Sequence, residues 1–224
     1  MDNNKTIEKE IVEGFQKTHG NSYDVISKNY DKMMEIVDVH FDDALESCFT
    51  ELKIPKTSSI LDAGCGTGLS CVKIYNAGYT NLEGFEPSQG MIDIAEKRGI
   101  FNKIKQGFLI SPEQMPQEYK GAFDVVISTG VFLMPNHALP EAYECLTFCL
   151  KKGGIAIFTT DEFNQTEGEK QYRVKRETME KEGKWELIKE SQLPKYVNVS
   201  DAIKNSKSRF KTPKTDTLSI YRKL

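Results

Sequence analysis

Ile60-Leu61-Asp62-Ala63-Gly64-Cys65-Gly66-Thr67-Gly68-Leu69-Ser70 is the stretch around which the rest of the chain falls into place. Ser59 to Leu61 reads as the end of a buried parallel strand. Gly64, Gly66 and Gly68 then alternate, so the backbone can turn sharply and a ligand can lie almost on the main chain. Leu69 to Tyr75 continues as the first turns of a helix. Strand, glycine loop and helix together make the nucleotide-binding half of a βαβ unit.

The identity of the ligand turns on Asp62. A dinucleotide fingerprint needs its third glycine at position 69, where this chain has leucine. A pyrophosphate on the helix N-terminus would also be repelled by a carboxylate just before the loop. No Gly-Lys-Ser/Thr follows, which excludes a P-loop. A cationic ligand would be attracted. The order acid-x-Gly-x-Gly-x-Gly from Asp62 to Gly68, Cys65 included, resembles the first motif of class I S-adenosylmethionine-dependent methyltransferases, whose donor carries a sulfonium and an ammonium.

A second acid fits the same pattern. Asn81 to Phe85 reads as a strand ending in Glu86, near the offset of about 20 residues expected for a carboxylate that accepts from ribose hydroxyls. The resemblance implies that Glu86 holds the ribose and that Pro87, Ser88 and Met91 lie beside it. Ser88 is also suited to cap the helix that begins there.

The 224 residues suffice for one α/β domain, expected over 1–224, with 1–54 as helical lid and cover and 55–224 as sheet core. A net charge of −3 singles out no partner. Five cysteines form no Cys-x-x-Cys pair and the three histidines are scattered, which argues against a disulfide framework and a zinc site. Neither a signal-peptide-like start nor an apolar run of membrane-spanning length is present, so a reduced, cytoplasmic protein is expected.

Before the first strand, residues 5–18 and Tyr23 to Val39 have helical periodicity, as does Phe41 to Leu52 up to the break at Pro55. Tyr23-Asp24 and Tyr30-Asp31 repeat seven residues apart. Both tyrosines can simply pack with their hydroxyls at the surface. The resemblance instead implies a lid over the cofactor, with Tyr23 or Tyr30 near the sulfonium.

Asn102 to Phe108 is polar and reads as an edge strand. The resemblance implies an acid or amide after it for the adenine amino group. No acid is present, and the candidates are Gln106 and Gly107, or a backbone group, with Phe108 or Leu109 instead as a wall for the adenine. Ala122 to Ser128 reads as the fourth strand. Its end, Ser128-Thr129-Gly130, belongs at the topological switch point, which makes the Ser128 and Thr129 carbonyls or hydroxyls candidates for the methionine moiety, although Gly130 also suits an ordinary turn. The corner lacks the Asp/Asn-Pro-Pro-aromatic run of enzymes that methylate amino groups of nucleic acids. His137 opens a helix to Leu150, either as a general base or as a helix-start histidine facing water. Lys151-Lys152-Gly153-Gly154 leads into a fifth strand at Ile155 to Thr160. Asp161 follows it, placed either to meet the acceptor or to cap the charged helix at 167–182. Trp185 to Val199 and Thr215 to Arg222 read as the last two strands. The basic segment between them has thin aromatic interleaving and does not read as a nucleic-acid surface.

The chain as a whole resembles one class I domain: a Rossmann-like, seven-stranded, mostly parallel sheet with helices on both faces and N-terminal lid helices. Its lid segment and loop resemble those of the Williams–Beuren-region methyltransferase-like group. The resemblance implies S-adenosyl-L-methionine as methyl donor. Methyl transfer to a small-molecule acceptor by in-line displacement is expected, with His137, Asp161 and the lid tyrosines as the candidates near the acceptor and no metal, nucleic acid or membrane involved. Oligomeric state is left open. A protein-directed methyltransferase and a non-catalytic cofactor-binding module are the alternatives.

Overall fold

The computed structural model describes residues 22–36, 39–132, 138–160, 167–195 and 214–224. The expected helix over 5–18, most of the basic segment before Lys214, His137 and Asp161 all lie outside them.

Helices α1 (Ser22–Ile36) and α2 (Phe41–Glu51) precede β1 (Ile60–Ala63). A 3-10 turn (Leu69–Cys71) leads into α3 (Val72–Asn76), then β2 (Leu82–Glu86), α4 (Gln89–Arg98), β3 (Lys103–Gln106) and β4 (Phe123–Phe132). The series closes with α5 (Ala142–Cys149), β5 (Leu150–Thr160), α6 (Glu167–Lys181), β6 (Trp185–Lys195) and β7 (Lys214–Lys223). Seven strands form one sheet in the order β3-β2-β1-β4-β5-β7-β6. β1 pairs in parallel with both β2 and β4, β2 with β3 and β4 with β5, while β7 runs antiparallel to both its neighbours. The chain moves outward from β1 to β3 and returns through β4, so a crevice opens at the carboxyl ends of β1 and β4.

Successive strand residues point to opposite faces, and the two cores divide accordingly. Leu61, Val126, Ala156 and Phe158 pack with α5, Tyr172 and Trp185 on one face. Ile60, Val125, Ile127 and Ile157 pack with Leu45, Phe49 and Ile74 of α2 and α3 on the other. In the first layer Phe132 stacks on Tyr143 at 4.2 Å and Trp185 on Tyr221 at 4.3 Å.

Three boundaries depart from the expectation. β4 does not end at Ser128: a register shift between Ser128 and Phe132, with Gly130 at φ +70°, carries it on to Phe132. α5 starts at Ala142 rather than His137, because Pro140 disfavours helical backbone at Leu139. β5 begins at Leu150 and not at 155. The Lys223 ammonium reaches across from β7 to donate to Thr147 O and Leu150 O, both at 2.7 Å, and satisfies carbonyls left over at the end of α5. All five cysteines are free and buried.

Candidate functional site

The glycine loop is tied to the end of β2. Gly64 N and Cys65 N both donate to Phe85 O, at 2.7 and 3.2 Å. Gly64, Gly66 and Gly68 all take positive φ, which leaves glycine the natural occupant of each. They are not equivalent. A Cβ at Gly64 would lie 2.4 Å from Val131 Cγ2 and one at Gly68 2.7 Å from the Phe101 ring, while one at Gly66 would meet nothing within 4 Å. Gly66 therefore borders open space.

Two carboxylates stand at the tips of β1 and β2. Asp62 is 1% exposed. Its Oδ2 accepts from the Cys71 thiol at 3.1 Å, and its Oδ1 has no hydrogen-bond partner among the described residues. Burial pushes its pKa from 3.8 to about 7, with the Glu86 charge adding to the rise and the Cys71 hydrogen bond opposing it. Glu86 is held at both oxygens: Ser88 N donates to Oε1 and Gly66 N to Oε2, each at 3.0 Å. Burial raises its pKa as well, against the lowering effect of those two amides. Each carboxylate oxygen has two lone pairs, so Glu86 retains acceptor capacity. The same burial drives the Cys65 and Cys71 thiols well above their usual range, so neither is poised as a nucleophile.

The other expected residues divide into those bordering the crevice and those building its frame. Ser88 caps α4, its hydroxyl accepting from Met91 N at 3.2 Å, and Met91 is buried behind it. Pro87 O accepts from Gln106 Nε2 at 3.0 Å, which links β2 to β3. Gly107 N donates to Glu86 O at 3.1 Å, and a Cβ at Gly107 would strike the Phe85 ring at 2.5 Å. Phe108 is 61% exposed beside this corner. The Ser128 hydroxyl donates to Ala63 O at 2.7 Å, Thr129 Oγ1 to Ser70 Oγ at 3.0 Å, and Gly130 N to Thr159 Oγ1 at 2.9 Å. These three bind β4 to β1, to the 3-10 turn after the loop and to β5.

α1 lies against the same elements. Tyr23 and Tyr30 are half-buried with ring centroids 6.3 Å apart. Asp24 Oδ1 accepts from Ser88 Oγ at 2.6 Å and Gly90 N at 2.8 Å, and these bonds hold its carboxyl below the usual range. Asp31 accepts from Thr67 Oγ1 at 2.5 Å and pairs with Arg98. Sequence reasoning missed Asp24, Asp31, Thr67, Gly90, Arg98 and Cys71. The Tyr-Asp repeat was the one available signal, since a spacing of seven puts both acids on one helical face.

The residues fit S-adenosylmethionine. An orphaned carboxylate oxygen suits a cation, a second acid with spare lone pairs suits hydroxyls, and the open flank of Gly66 leaves room for a ligand.

A family model described as "Methyltransferase domain" matches residues 33–201. Human methyltransferase-like protein 27 is 31% identical over 109 residues, covering 47% of this chain and 42% of its own length. The probable 18S rRNA (guanine-N(7))-methyltransferase of Dictyostelium discoideum is 30% identical over 152 residues, covering 60% and 50%. Human EEF1A lysine methyltransferase 2 is 28% identical over 157 residues, covering 64% and 61%. The chain thus spans about half the length of the curated relatives it matches. A putative methyltransferase of Haloferax volcanii, solved in complex with the Trm112 methyltransferase activator, superposes with a TM-score of 0.64 at 14% identity, covering 92% of this chain and 99% of that one.

These relatives correct one expectation. Exclusion of nucleic acid, and restriction to a small-molecule partner, do not stand beside relatives named for rRNA and protein lysine. The Ser-Thr-Gly corner speaks only to exocyclic amino groups and leaves a ring nitrogen such as guanine N7 untouched. No helix among the described residues is long and apolar enough to cross a membrane. With the family model covering most of its length, the chain belongs to the methyltransferase domain family.

Proposed function

We propose that this chain transfers the methyl group of S-adenosylmethionine to a nitrogen nucleophile by in-line displacement. Bound in the crevice, the donor supplies a methyl on a cationic sulfur, already a good leaving group. The protein then has to bind, orient and keep water out. Asp62 faces the cationic end, Glu86 accepts from the ribose hydroxyls, the Gly64–Gly68 loop lies along the adenosyl moiety, and Gly107 and Phe108 border the base. α1 acts as the lid, with Tyr23 and Tyr30 on the cation side. His137 and Asp161 follow β4 and β5 in the chain and serve the acceptor, His137 as the base where the nitrogen must lose a proton.

The observation that carries this reading is the pair of buried carboxylates at adjoining strand tips, one with an orphaned oxygen. Nitrogen as acceptor rests on two relatives named for guanine N7 and for lysine. The experiment has two stages. Calorimetric titration with S-adenosylmethionine and its demethylated product must show binding. Methyl-labelled donor is then incubated with separated RNA, protein and metabolite fractions, and the product is identified by mass spectrometry. Label on oxygen, sulfur or carbon refutes the acceptor assignment; absence of donor binding refutes the whole reading.

A further inference from the structure

Besides burial, the charge of Asp24 raises the Glu86 pKa through space, and each aspartate of α1 is also joined to one of the two amides that hold Glu86. Asp24 Oδ1 takes the Ser88 hydroxyl at 2.6 Å, and Ser88 N donates to Glu86 Oε1. Asp31 takes the Thr67 hydroxyl at 2.5 Å, and the preceding residue, Gly66, donates to Glu86 Oε2. Arg98 closes this second branch, pairing with Asp31 while its Nε donates to Thr67 O at 2.8 Å. The two acids are seven residues apart, about two helical turns, so one face of α1 spans both branches. Contact is close: a Cβ at Gly90 would sit 3.0 Å from Asp24 Cα and 3.0 Å from Asp24 O.

We propose that Asp24 and Asp31 are positioning residues for Glu86: seating α1 through them fixes the Ser88 and Gly66 amides, and with them the orientation of the carboxylate. This rests on the reading of Glu86 as the ribose-holding acid. It makes the seating of the helix and the shape of the ribose site one event. If the two acids merely attached α1 to the fold, their loss would lower stability and leave Glu86 as it was.

The test uses Asp24→Ala, Asp31→Ala and Gly90→Ala in the full chain. The last leaves both charges in place and favours α4 as a helix, but pushes α1 away. Affinity for S-adenosylmethionine is measured by calorimetry in the wild-type and Glu86→Ala backgrounds. Exchange of the Gly66 and Ser88 amides is followed in the unliganded protein by NMR. Each substitution should weaken donor binding about tenfold and lose most of that effect once Glu86 is gone. Asp24→Ala should speed exchange at Ser88 and Asp31→Ala at Gly66, with Asp24→Asn, which keeps an acceptor oxygen, partly restoring the rate. Equal losses in both backgrounds, or unchanged affinity, overturn the proposal. If the wild type fails to bind the donor, the functional reading falls, and the exchange rates decide the coupling alone: unaltered exchange at both amides overturns it.

Discussion

The Cys71 thiol donates to Asp62 Oδ2 at 3.1 Å inside the protein, and it is the one hydrogen bond to that carboxyl among the described residues. A weak donor is thus set against a buried carboxylate whose pKa burial has moved to about 7. The bond favours the ionised form, so its removal should cost most where that form prevails. Cys71→Ala should lose about 2 kcal/mol of unfolding free energy at pH 8 and much less at pH 5, as measured by urea denaturation at both values. A loss equal at the two pH values would assign the effect to packing.

Asp62 also gives donor binding a pH signature. Its pKa in the fold lies above the ordinary 3.8, so its ionisation opposes folding. That term lowers stability as pH rises from about 4 to about 7 and is constant above. A cation beside Asp62 reverses the shift. Donor affinity should therefore climb as pH rises through about 7, and binding at pH 6 should release close to one proton. Calorimetry at pH 6 in two buffers of different ionisation enthalpy reads this directly. Identical heats in both would mean that no proton leaves and that Asp62 does not meet the cation.

The glycines separate a binding defect from a folding defect. Gly66 has φ +52° and open space where a Cβ would go. Gly66→Ala should cost roughly 1 kcal/mol of stability for the left-handed backbone while its methyl intrudes on the donor and weakens binding at least tenfold. Gly64 has φ +88° and Val131 Cγ2 2.4 Å from the same position, so Gly64→Ala should lose about 3 kcal/mol of stability. Thermal unfolding beside donor titration of both variants checks the contrast. A Gly66→Ala protein that binds normally would remove the ligand from that side of the loop.

Local signals were readable and distant partnerships were not. Asp62, the three glycines, Glu86 and the Ser88 cap all follow from spacing within one βαβ unit, and the structure brings them together at the tips of β1 and β2. The helix carrying Tyr23 and Tyr30 was legible from its periodicity, but the partners of its acids, Ser88 and Thr67, lie far along the chain. No local pattern encodes such pairs. Cys71 has no sequence signal of its own, because what distinguishes it is the carboxyl it faces. β4 ran past its expected end because a bulge at Gly130 keeps pairing alive where a turn would have stopped it. The bonds that the Ser128 and Thr129 hydroxyls make, to β1 and to the 3-10 turn after the loop, join residues far apart in the chain and have no local signal.

Glu86 permits a test that separates contact with the ribose from mere support of the loop. Glu86→Ala removes the acceptor of two backbone amides, Gly66 N and Ser88 N, so some stability must be lost whatever the ligand does. Donor affinity should fall by about 1–3 kcal/mol if charge-assisted hydrogen bonds to hydroxyls go with it, but a loosened loop could produce the same loss. A donor analogue lacking one ribose hydroxyl resolves the two causes. Against the wild type it should bind more weakly than S-adenosylmethionine, because Glu86 then has one hydroxyl fewer to accept from. Against Glu86→Ala the two compounds should bind alike, since the group that distinguished them is gone. If the analogue stays weaker by the same factor in the variant, another residue reads the hydroxyl, and Glu86 serves the loop alone.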